Sequence, residues 1–268
     1  MRTLTHISDL HFGRIDEAVI EPLLAAIASI GADVVAVSGD LTQRARKTQF
    51  EQARDFLARI AAPRIVVPGN HDVPLYRVWE RFLSPLGKYQ RIVQSDLEPS
   101  YVDGEIAVLG VNTARALTFK GGRINKEQMK SIERRLKPLG DAVTKVVVTH
   151  HPFDVPDESG DVDLVGRARK AMAVFSECGV DLLLSGHFHV SQSGETTRDA
   201  IAGYSALAVQ AGTATSTRGR GEENSFNVVR IQRNEIVVER WAFERDAGAF
   251  RPAGSERFER EGERWIER

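Results

Sequence analysis

The sequence predicts an α/β (α+β) fold in which two β-sheets form a central mixed layer flanked by helices. Five short, almost continuously apolar runs are typical of strands buried on both faces. Segments with helical spacing of apolar residues separate several of these runs, and strand-like patterns follow one another after residue 203. The apolar runs lie at 3–8, 33–39, 64–69, 145–150 and 181–186.

Four segments between the strands predict helices. The first ends at Gly31, a plausible C-cap, and the fourth ends at Gly179 in the same way. The third begins at Asn125, and Gln128 three residues later completes a capping-box arrangement. The second stops at a proline. The four segments cover 17–32, 47–63, 125–139 and 166–179.

Two further regions predict antiparallel strands. Residues 99–113 are typical of a hairpin, with Asp-Gly at 103–104 as its turn. Beyond residue 203, three strand patterns succeed one another, with a turn near 233–234. The sequence therefore adds antiparallel strands to the parallel ones that strand–helix alternation predicts.

No linker or internal repeat divides the chain. We therefore expect a single domain over 1–245, followed by a charged tail over 246–268 that Gly and Pro punctuate. Edge strands in the C-terminal third would allow two chains to pair, so a homo-oligomer stays an open question.

The composition is that of an ordinary globular protein. The 36 basic and 37 acidic residues give a formal net charge of −1, which favours neither nucleic acid nor an anionic membrane as a partner. The single cysteine, Cys178, excludes an internal disulfide. Because no charged-then-apolar leader opens the chain and no apolar run reaches membrane-spanning length, we expect a cytoplasmic protein.

Polar side chains follow each of the five apolar runs. Ligands bind outside the carboxyl ends of strands in α/β sheets, so these side chains are expected to meet at one edge. Six of the seven histidines lie in these motifs, and we interpret the exception, His6, as structural. The polar residues are Asp9 and His11, then Asp40, then Asn70, His71 and Asp72, then His150 and His151, and finally His187 and His189.

These residue types predict a site for transition-metal ions. Imidazole together with carboxylate suits Zn, Fe or Mn, whereas calcium takes mostly oxygen ligands. In the motifs DLH and HFH the paired ligands are two residues apart, which places both on one face of an extended strand. Seven candidate ligands are too many for one ion, so we expect two ions with Asp40 as the bridge.

Two details stay open in the sequence. His150 and His151 cannot easily coordinate together, because neighbours on an extended chain point to opposite faces. Arg14, Arg44 and Arg46 follow two of the motifs, and they either contact a phosphate group or extend into solvent.

In the order DLH, GD, GNHD, THHP and GHFH, the motifs resemble those of the calcineurin-like metallophosphoesterases. More narrowly, the chain is similar to the bacterial cyclic-nucleotide and glycerophosphodiester phosphodiesterases. The resemblance runs from Asp9 to His189 and implies a four-layer α-β-β-α sandwich with two metal ions at one edge. The implied metals are manganese, iron or both, with zinc as an alternative.

The resemblance also implies a role for each motif residue. Asp40 bridges the two metals, and Gly186 lets the backbone approach the site. His71 is not a ligand but contacts the phosphate and assists the leaving group, while Asp72 holds its imidazole. Some relatives that lack ligands serve as scaffolds, but no position is missing here. The first metal takes Asp9, His11 and His189, and the second takes Asn70, His150 and His187.

The implied function is hydrolysis of small phosphodiesters, such as cyclic nucleotides or glycerophosphodiesters, by a hydroxide that bridges the metals. Alternatives in the family are a phosphomonoesterase and a nucleotide-sugar or lipid pyrophosphohydrolase. The latter needs an apolar acyl pocket, for which 73–95 is the candidate, but Trp79, Phe82 and Leu83 there are expected to face the core. The near-neutral charge disfavours a nuclease, and the complete ligand set disfavours a non-catalytic scaffold.

Overall fold

The computed structural model describes residues 1–155, 164–196, 201, 203–217 and 222–268. Within these residues the chain forms thirteen strands, and all five apolar runs are among them. The strands are β1 (Arg2–Ile7), β2 (Val34–Ser38), β3 (Arg64–Val67), β4 (Ser100–Val102), β5 (Ile106–Gly110), β6 (Thr144–Val148), β7 (Leu182–Ser185), β8 (Gln192–Glu195), β9 (Leu207–Gln210), β10 (Ser225–Gln232), β11 (Glu235–Glu244), β12 (Ala249–Glu261) and β13 (Arg264–Glu267).

Six α-helices lie in the described part of the chain, and four of them confirm the predicted helices. The capping box is present, since Gln128 N donates to Asn125 Oδ1 at 2.9 Å and Asn125 N donates to Gln128 Oε1 at 3.1 Å. Among the described residues, no helix combines the length and apolarity that crossing a membrane requires. The helices are α1 (Ile20–Ile30), α2 (Lys47–Ala58), α3 (Val78–Leu83), α4 (Gly87–Ile92), α5 (Lys126–Leu136) and α6 (Ala168–Cys178).

The strands form two mixed sheets. In the first sheet, with the order β13-β12-β11-β10-β1-β2-β3, the strands β1, β2 and β3 are parallel and the others pair antiparallel. In the second, with the order β4-β5-β6-β7-β9-β8, four parallel central strands lie between antiparallel edge strands. The predicted turns at 103–104 and 233–234 join β4 to β5 and β10 to β11.

Apolar side chains on both faces of the central strands hold the layers together. In β2, Val34 and Ala36 face the space between the two sheets, whereas Val35 and Val37 face the helices α1 and α2. A third apolar cluster, which includes Phe175, lies between the second sheet and the helices α5 and α6. The result is the four-layer α-β-β-α sandwich, and burial on both faces explains why the strand sequences are continuously apolar.

Residues 246–268, which the sequence separates as a charged tail, form β12 and β13 at the edge of the first sheet. Phe250, Phe258 and Trp265 point into the protein, while most of the charged residues between them are exposed or half-buried. Successive side chains of a strand face opposite sides, so three apolar residues suffice to dock this segment. The density of charge hides that alternation in the sequence.

The expectation that Trp79, Phe82 and Leu83 face the core is wrong. In the structure, Trp79 is 81% exposed and Leu83 is 79% exposed. The buried side of α3 carries Arg81 instead, whose guanidinium donates hydrogen bonds to three backbone carbonyl oxygens. Because Arg81 anchors this short helix, the spacing of its apolar residues predicts the wrong face of α3 to be buried.

Candidate metal centre

The predicted site residues lie where the carboxyl ends of the two sheets meet. In the first sheet, β1 leads to Asp9 and His11, and β2 leads to Asp40. In the second sheet, β6 leads to His150 and β7 leads to His187. The strands thus belong to two facing sheets rather than to one sheet edge, and their loops enclose the site from both sides.

Left-handed backbone conformations concentrate at this site. The sequence predicts that the paired residues, two positions apart, converge on an extended strand, and this prediction is wrong. The strands end before the motifs, and the paired residues converge through tight turns instead. Positive φ is uncommon outside glycine, and each such residue stores roughly 1–3 kcal/mol of strain that the surrounding structure must offset. The residues are Asp9 (φ 53°), His11 (50°), Asp40 (51°), His187 (78°) and His189 (62°).

A first cluster joins Asp9, His11 and His189. Asp9 Oδ1 lies 3.1 Å from His189 Nε2 and 3.5 Å from His11 Nε2, and the two Nε2 atoms are 3.2 Å apart. Within the described residues, no well-aligned hydrogen bond reaches Asp9 Oδ1, although it is buried. A buried carboxylate oxygen facing two imidazole nitrogens is a donor set that fits a transition-metal ion.

A second cluster joins Asn70, His150 and His187. Asn70 Oδ1 lies 3.1 Å from both His150 Nε2 and His187 Nδ1, and those two nitrogens are 3.3 Å apart. His150 Nδ1 donates a hydrogen bond to Ser38 O at 2.8 Å, so Nε2 is the ring nitrogen that faces the cluster. Metal-binding histidines have this arrangement, in which the outer nitrogen is fixed by a carbonyl oxygen.

Asp40 touches both clusters with its two carboxylate oxygens. Its Oδ2 lies 3.7 Å from His11 Nε2, and its Oδ1 lies 3.4 Å from His150 Nε2. The donors on either side of Asp40 therefore fit two metal ions that share one carboxylate, as the sequence expects.

His151 is held outside these contacts. Its Nδ1 accepts a hydrogen bond from Thr113 Oγ1 at 2.8 Å, and its Nε2 donates to Lys120 O at 2.9 Å. Although its ring is close enough to His150 and His187 to complete a candidate ligand group, both ring nitrogens already have partners. This geometry favours His150 as the ligand.

His71 and Asp72 follow β3 and lie beside the clusters. The N–H of His71 donates to Asp40 Oδ1 at 2.8 Å, and its Nδ1 donates to Gln43 O at 2.9 Å. Asp72 was expected to hold this imidazole, but its carboxylate accepts hydrogen bonds from Gly69 N at 2.9 Å and from Leu41 N and Thr42. Asp72 therefore holds the backbone of the loops that carry Asp40 and His71. The carbonyl oxygen of Gln43, instead of Asp72, accepts the hydrogen bond from the His71 ring.

Burial and neighbouring charges fix the protonation of the site. Burial favours neutral Asp9, but the nearby imidazoles of His11 and His189 prevail and hold its pKa well below the usual range. Burial likewise opposes ionisation of Asp40, whose pKa is nevertheless lowered by the charge of His150. Burial and the charge of His150 lower the pKa of His187 to about 4. Ionised carboxylates and neutral imidazoles are the forms that bind metal ions.

The buried histidines His6 and His150 have pKa values shifted in opposite directions. Burial lowers the pKa of His6 to about 3, and its Nε2 lies 2.8 Å from Ser38 Oγ, outside both clusters. Burial also disfavours charged His150, but the charge and hydrogen bond of Asp40 raise its pKa to about 9. Metal binding at His150 would therefore release a proton.

Two glycines let the loops approach one another. A Cβ on Gly186 would clash with Ser8 Oγ and lie 2.5 Å from Asp9 Oδ2. A Cβ on Gly69 would clash with the carboxylate and the backbone nitrogen of Asp40. Side-chain carbons do not approach other atoms this closely, so both positions require glycine, as the sequence expects for Gly186.

A cavity of about 270 Å³ opens beside the clusters. Asn70 and His71 line it together with Arg44, Phe119 and Lys120. The side chain of Arg44 is therefore within the site region. All three arginines that follow the motifs are exposed, and Arg44 is the one that lines this cavity.

Sequence reasoning missed the groups that hold the site residues in place. Ser8 Oγ donates to Asp9 Oδ2 at 2.6 Å, and its only signal is its position beside Asp9. The carbonyl oxygens of Ser38 and Gln43 hold two imidazoles, and Thr113 holds a third. Every residue has a backbone carbonyl group, so the residue type does not show which of these groups holds a site residue.

The family model of the calcineurin-like phosphoesterases matches residues 2–191, a span that contains both clusters and His71. The chain therefore belongs to the calcineurin-like phosphoesterase family. Family membership supports a hydrolase, and the two groups of His and Asp side chains suit a dinuclear metal site.

Two curated relatives resemble the chain at low identity. Glycerophosphodiester phosphodiesterase GpdQ of Enterobacter lignolyticus (strain SCF1) is 26% identical over 169 residues, which are 59% of this chain and 60% of that relative. A probable cyclic nucleotide phosphodiesterase of Synechococcus sp. is 25% identical over 201 residues, covering 70% of this chain and 73% of the relative. The chain thus matches only 60% of the length of the first of these relatives.

Solved structures share the architecture. The purple acid phosphatase PPD1 of yellow lupin superposes with a TM-score of 0.69 at 13% identity, covering 97% of this chain and 54% of that chain. A dimetal phosphatase from Danio rerio superposes with a TM-score of 0.64 at 14% identity, covering 88% and 95%. At these identities the likeness concerns the fold, and it confirms the predicted sandwich.

Proposed function

We propose that this chain is a metal-dependent phosphodiesterase that acts on small phosphodiesters, such as cyclic nucleotides or glycerophosphodiesters. The observation that carries the proposal is the pair of ligand clusters that share Asp40, with His71 beside them. Family membership and the names of two curated relatives support phosphate-ester hydrolysis, and the substrate class goes beyond them.

In this proposal seven side chains hold two metal ions. Manganese and iron suit the mixture of imidazole, carboxylate and amide ligands, and zinc is the alternative. When bound, the two ions would polarise a phosphoryl oxygen and lower the pKa of a water molecule that serves as nucleophile. Asp40 would contact both ions; the first would also take Asp9, His11 and His189, and the second would also take Asn70, His150 and His187.

His71 would assist the departure of the leaving group. Its Nδ1 donates to Gln43 O, so this nitrogen carries a proton and Nε2 is the nitrogen that would serve the leaving group. As an imidazolium, the ring would donate the Nε2 proton to the leaving alkoxide, a contribution of about 10²–10⁴-fold in rate. Asp72 would act as a positioning residue, because it holds the backbone of Leu41, Thr42 and Gly69.

The cavity beside His71 would receive the substrate. Arg44 and Lys120 line it, so their charges would attract an anionic phosphate ester and help to orient it. Phe119 offers an apolar wall for the remainder of the molecule. The chemistry of these side chains suits a small, singly charged diester.

Hydrolysis of a chromogenic phosphodiester beside its monoester tests the proposal. The protein is stripped of metal and then reloaded with Mn²⁺. We expect diester hydrolysis to return with the metal and to exceed monoester hydrolysis. Absence of turnover of either compound, with metal shown to be bound, would contradict the proposal and favour a selective pyrophosphohydrolase or a binding protein. The metal pair, a cytoplasmic location and the oligomeric state stay predictions of the sequence.

A further inference from the structure

Exposed apolar side chains concentrate beside the catalytic cavity. Among the described residues, seven of the nine large apolar side chains that are exposed lie in two short segments, 76–83 and 117–119. Large exposed apolar groups that cluster in this way mark an interaction surface. We call this set the apolar patch: Tyr76, Val78, Trp79, Phe82, Leu83, Leu117 and Phe119.

Arg81 links the two segments. Arg81 Nε donates to Ala116 O at 2.7 Å, and its guanidinium lies over the ring of Phe119, 4.3 Å from the centroid. On α3, residues 79, 82 and 83 are three and four positions apart, so they share the helix face opposite this anchor. The patch is therefore held in place by the fold.

Basic residues are frequent in the segments that carry and adjoin the apolar patch, although Arg81 is itself buried as the anchor of α3. The segments 43–48, 74–92 and 113–123 together carry ten Lys and Arg residues and one acidic residue, Glu80, although the whole chain has a net charge of −1. A second cavity, of about 520 Å³, separates two of these segments, and its lining residues include Arg44, Arg46, Lys47, Arg77 and Lys88. The balanced composition of the chain conceals this local excess of positive charge.

We infer that this face docks onto an anionic lipid surface. Aromatic and aliphatic side chains beside clustered Lys and Arg are the composition of segments that lie in the membrane interface. The apolar patch would enter the boundary between headgroups and acyl chains, and the cations would contact acidic headgroups. Arg44, Phe119 and Lys120 also line the catalytic cavity, so docking would bring that cavity to the bilayer.

A second copy of the chain and a nucleic acid each fit this surface less well than an anionic bilayer does. A second copy of the chain bound symmetrically through this face would bring the same cations opposite one another, which is unfavourable. A nucleic acid would neutralise the cations but would leave aliphatic side chains such as Leu83 and Leu117 without an apolar partner. An anionic bilayer satisfies both parts of the surface.

Sedimentation of the full chain with vesicles tests the inference. We expect binding to vesicles of phosphatidylcholine and phosphatidylglycerol, and much weaker binding to phosphatidylcholine alone. The double variant Trp79→Glu/Leu83→Glu should bind at least about tenfold more weakly, because both side chains lose their transfer into the interface. Arg46→Gln and Lys47→Gln should each weaken binding by about fivefold and make it less sensitive to salt.

Matched controls lie outside the patch. Val102→Glu changes an exposed valine on β4, and Lys170→Gln changes an exposed lysine on α6, so neither variant should alter vesicle binding. Turnover of a water-soluble diester should be the same in Trp79→Glu/Leu83→Glu as in the unmodified chain. Vesicle binding is measured without turnover, so it decides this inference even if the chain hydrolyses no diester.

Three results would overturn the inference. The first is equal sedimentation with neutral and anionic vesicles, or no sedimentation with either kind. A second is unaltered binding by Trp79→Glu/Leu83→Glu. The third comes from sedimentation equilibrium: a dimer that Trp79→Glu/Leu83→Glu dissociates would assign the apolar patch to a second copy of the chain.

Discussion

His71 lies beside both candidate ligand clusters and is held there through its ring and its backbone. Its centroid lies 4.9 Å from that of His11, and its N–H donates to Asp40, so it is fixed close to both clusters. A carbonyl oxygen, which does not change charge, holds its Nδ1. The ring is thereby oriented beside the clusters, and under the proposed function its Nε2 would donate a proton to the leaving group.

Replacement of His71 separates a catalytic role from a ligand role by experiment. His71→Ala should lower kcat on a diester with a poor leaving group by about 10²–10⁴-fold, because the proton donor is lost. The metal content, measured by elemental analysis, should stay nearly that of the unmodified chain. Full activity of this variant on such a diester would show that His71 is not the acid.

Close approach of the backbone at Gly186 yields a second prediction. Gly186→Ala would push Ser8 and Asp9 away from their positions and should weaken metal binding at the first cluster by at least about tenfold. Competition with a chelator measures the affinity. Gly104→Ala is the control, since a Cβ there meets no atom within 4 Å. Equal metal affinities of the two variants would contradict this account of the site.

At the scale of the elements, the sequence predicts what burial on both faces determines. The strands β1, β2, β3, β6 and β7 are buried along nearly their whole length and were recognisable from their mainly apolar runs, and so were the polar residues that follow them. β8 had no comparable signal, since its residues are all half-buried. In α3, the anchoring role of Arg81 depends on carbonyl oxygens remote in sequence, which no local pattern reveals.

The sequence likewise indicates which residues are candidate ligands, whereas it does not give their geometry. Residue type and order indicate Asp9, Asp40 and the histidines, because few other functions gather these side chains at strand ends. The left-handed turns at these residues accompany contacts between loops of the two sheets, such as the hydrogen bond from His187 N to Asp9 Oδ2 at 3.1 Å. Such contacts are long-range, so the sequence predicted an extended conformation where the backbone is strained.

The C-terminal strands provide a test of stability. Trp265 on β13 is 1% exposed, and its Nε1 donates to Asp181 Oδ1 at 3.2 Å. Trp265→Ala should lower the free energy of unfolding by about 3–5 kcal/mol, because it leaves a cavity and removes a hydrogen bond. Urea denaturation of Trp79→Ala is the control, and the exposed tryptophan should change stability by less than about 0.5 kcal/mol. Equal midpoints for the two variants would mean that β13 adds little to the core.

At the scale of the whole molecule, both sheets contribute residues to the site. The first sheet supplies Asp9, His11, Asp40 and Asn70, while the second supplies the remaining histidines. Each cluster contains residues that follow strands of both sheets, so neither candidate metal site is complete until the sheets are joined. Metal binding should therefore stabilise the contact between the sheets as well as the loops.

The number of metal ions per chain tests the central claim most directly. Elemental analysis of the purified chain reloaded with Mn²⁺ should give two ions per chain. His189→Ala and His150→Ala should each reduce that number toward one, and Asp40→Ala should reduce both occupancies and abolish hydrolysis, because Asp40 contacts both clusters. A single ion per chain, lost in all three variants alike, would contradict a dinuclear centre built on a shared Asp40.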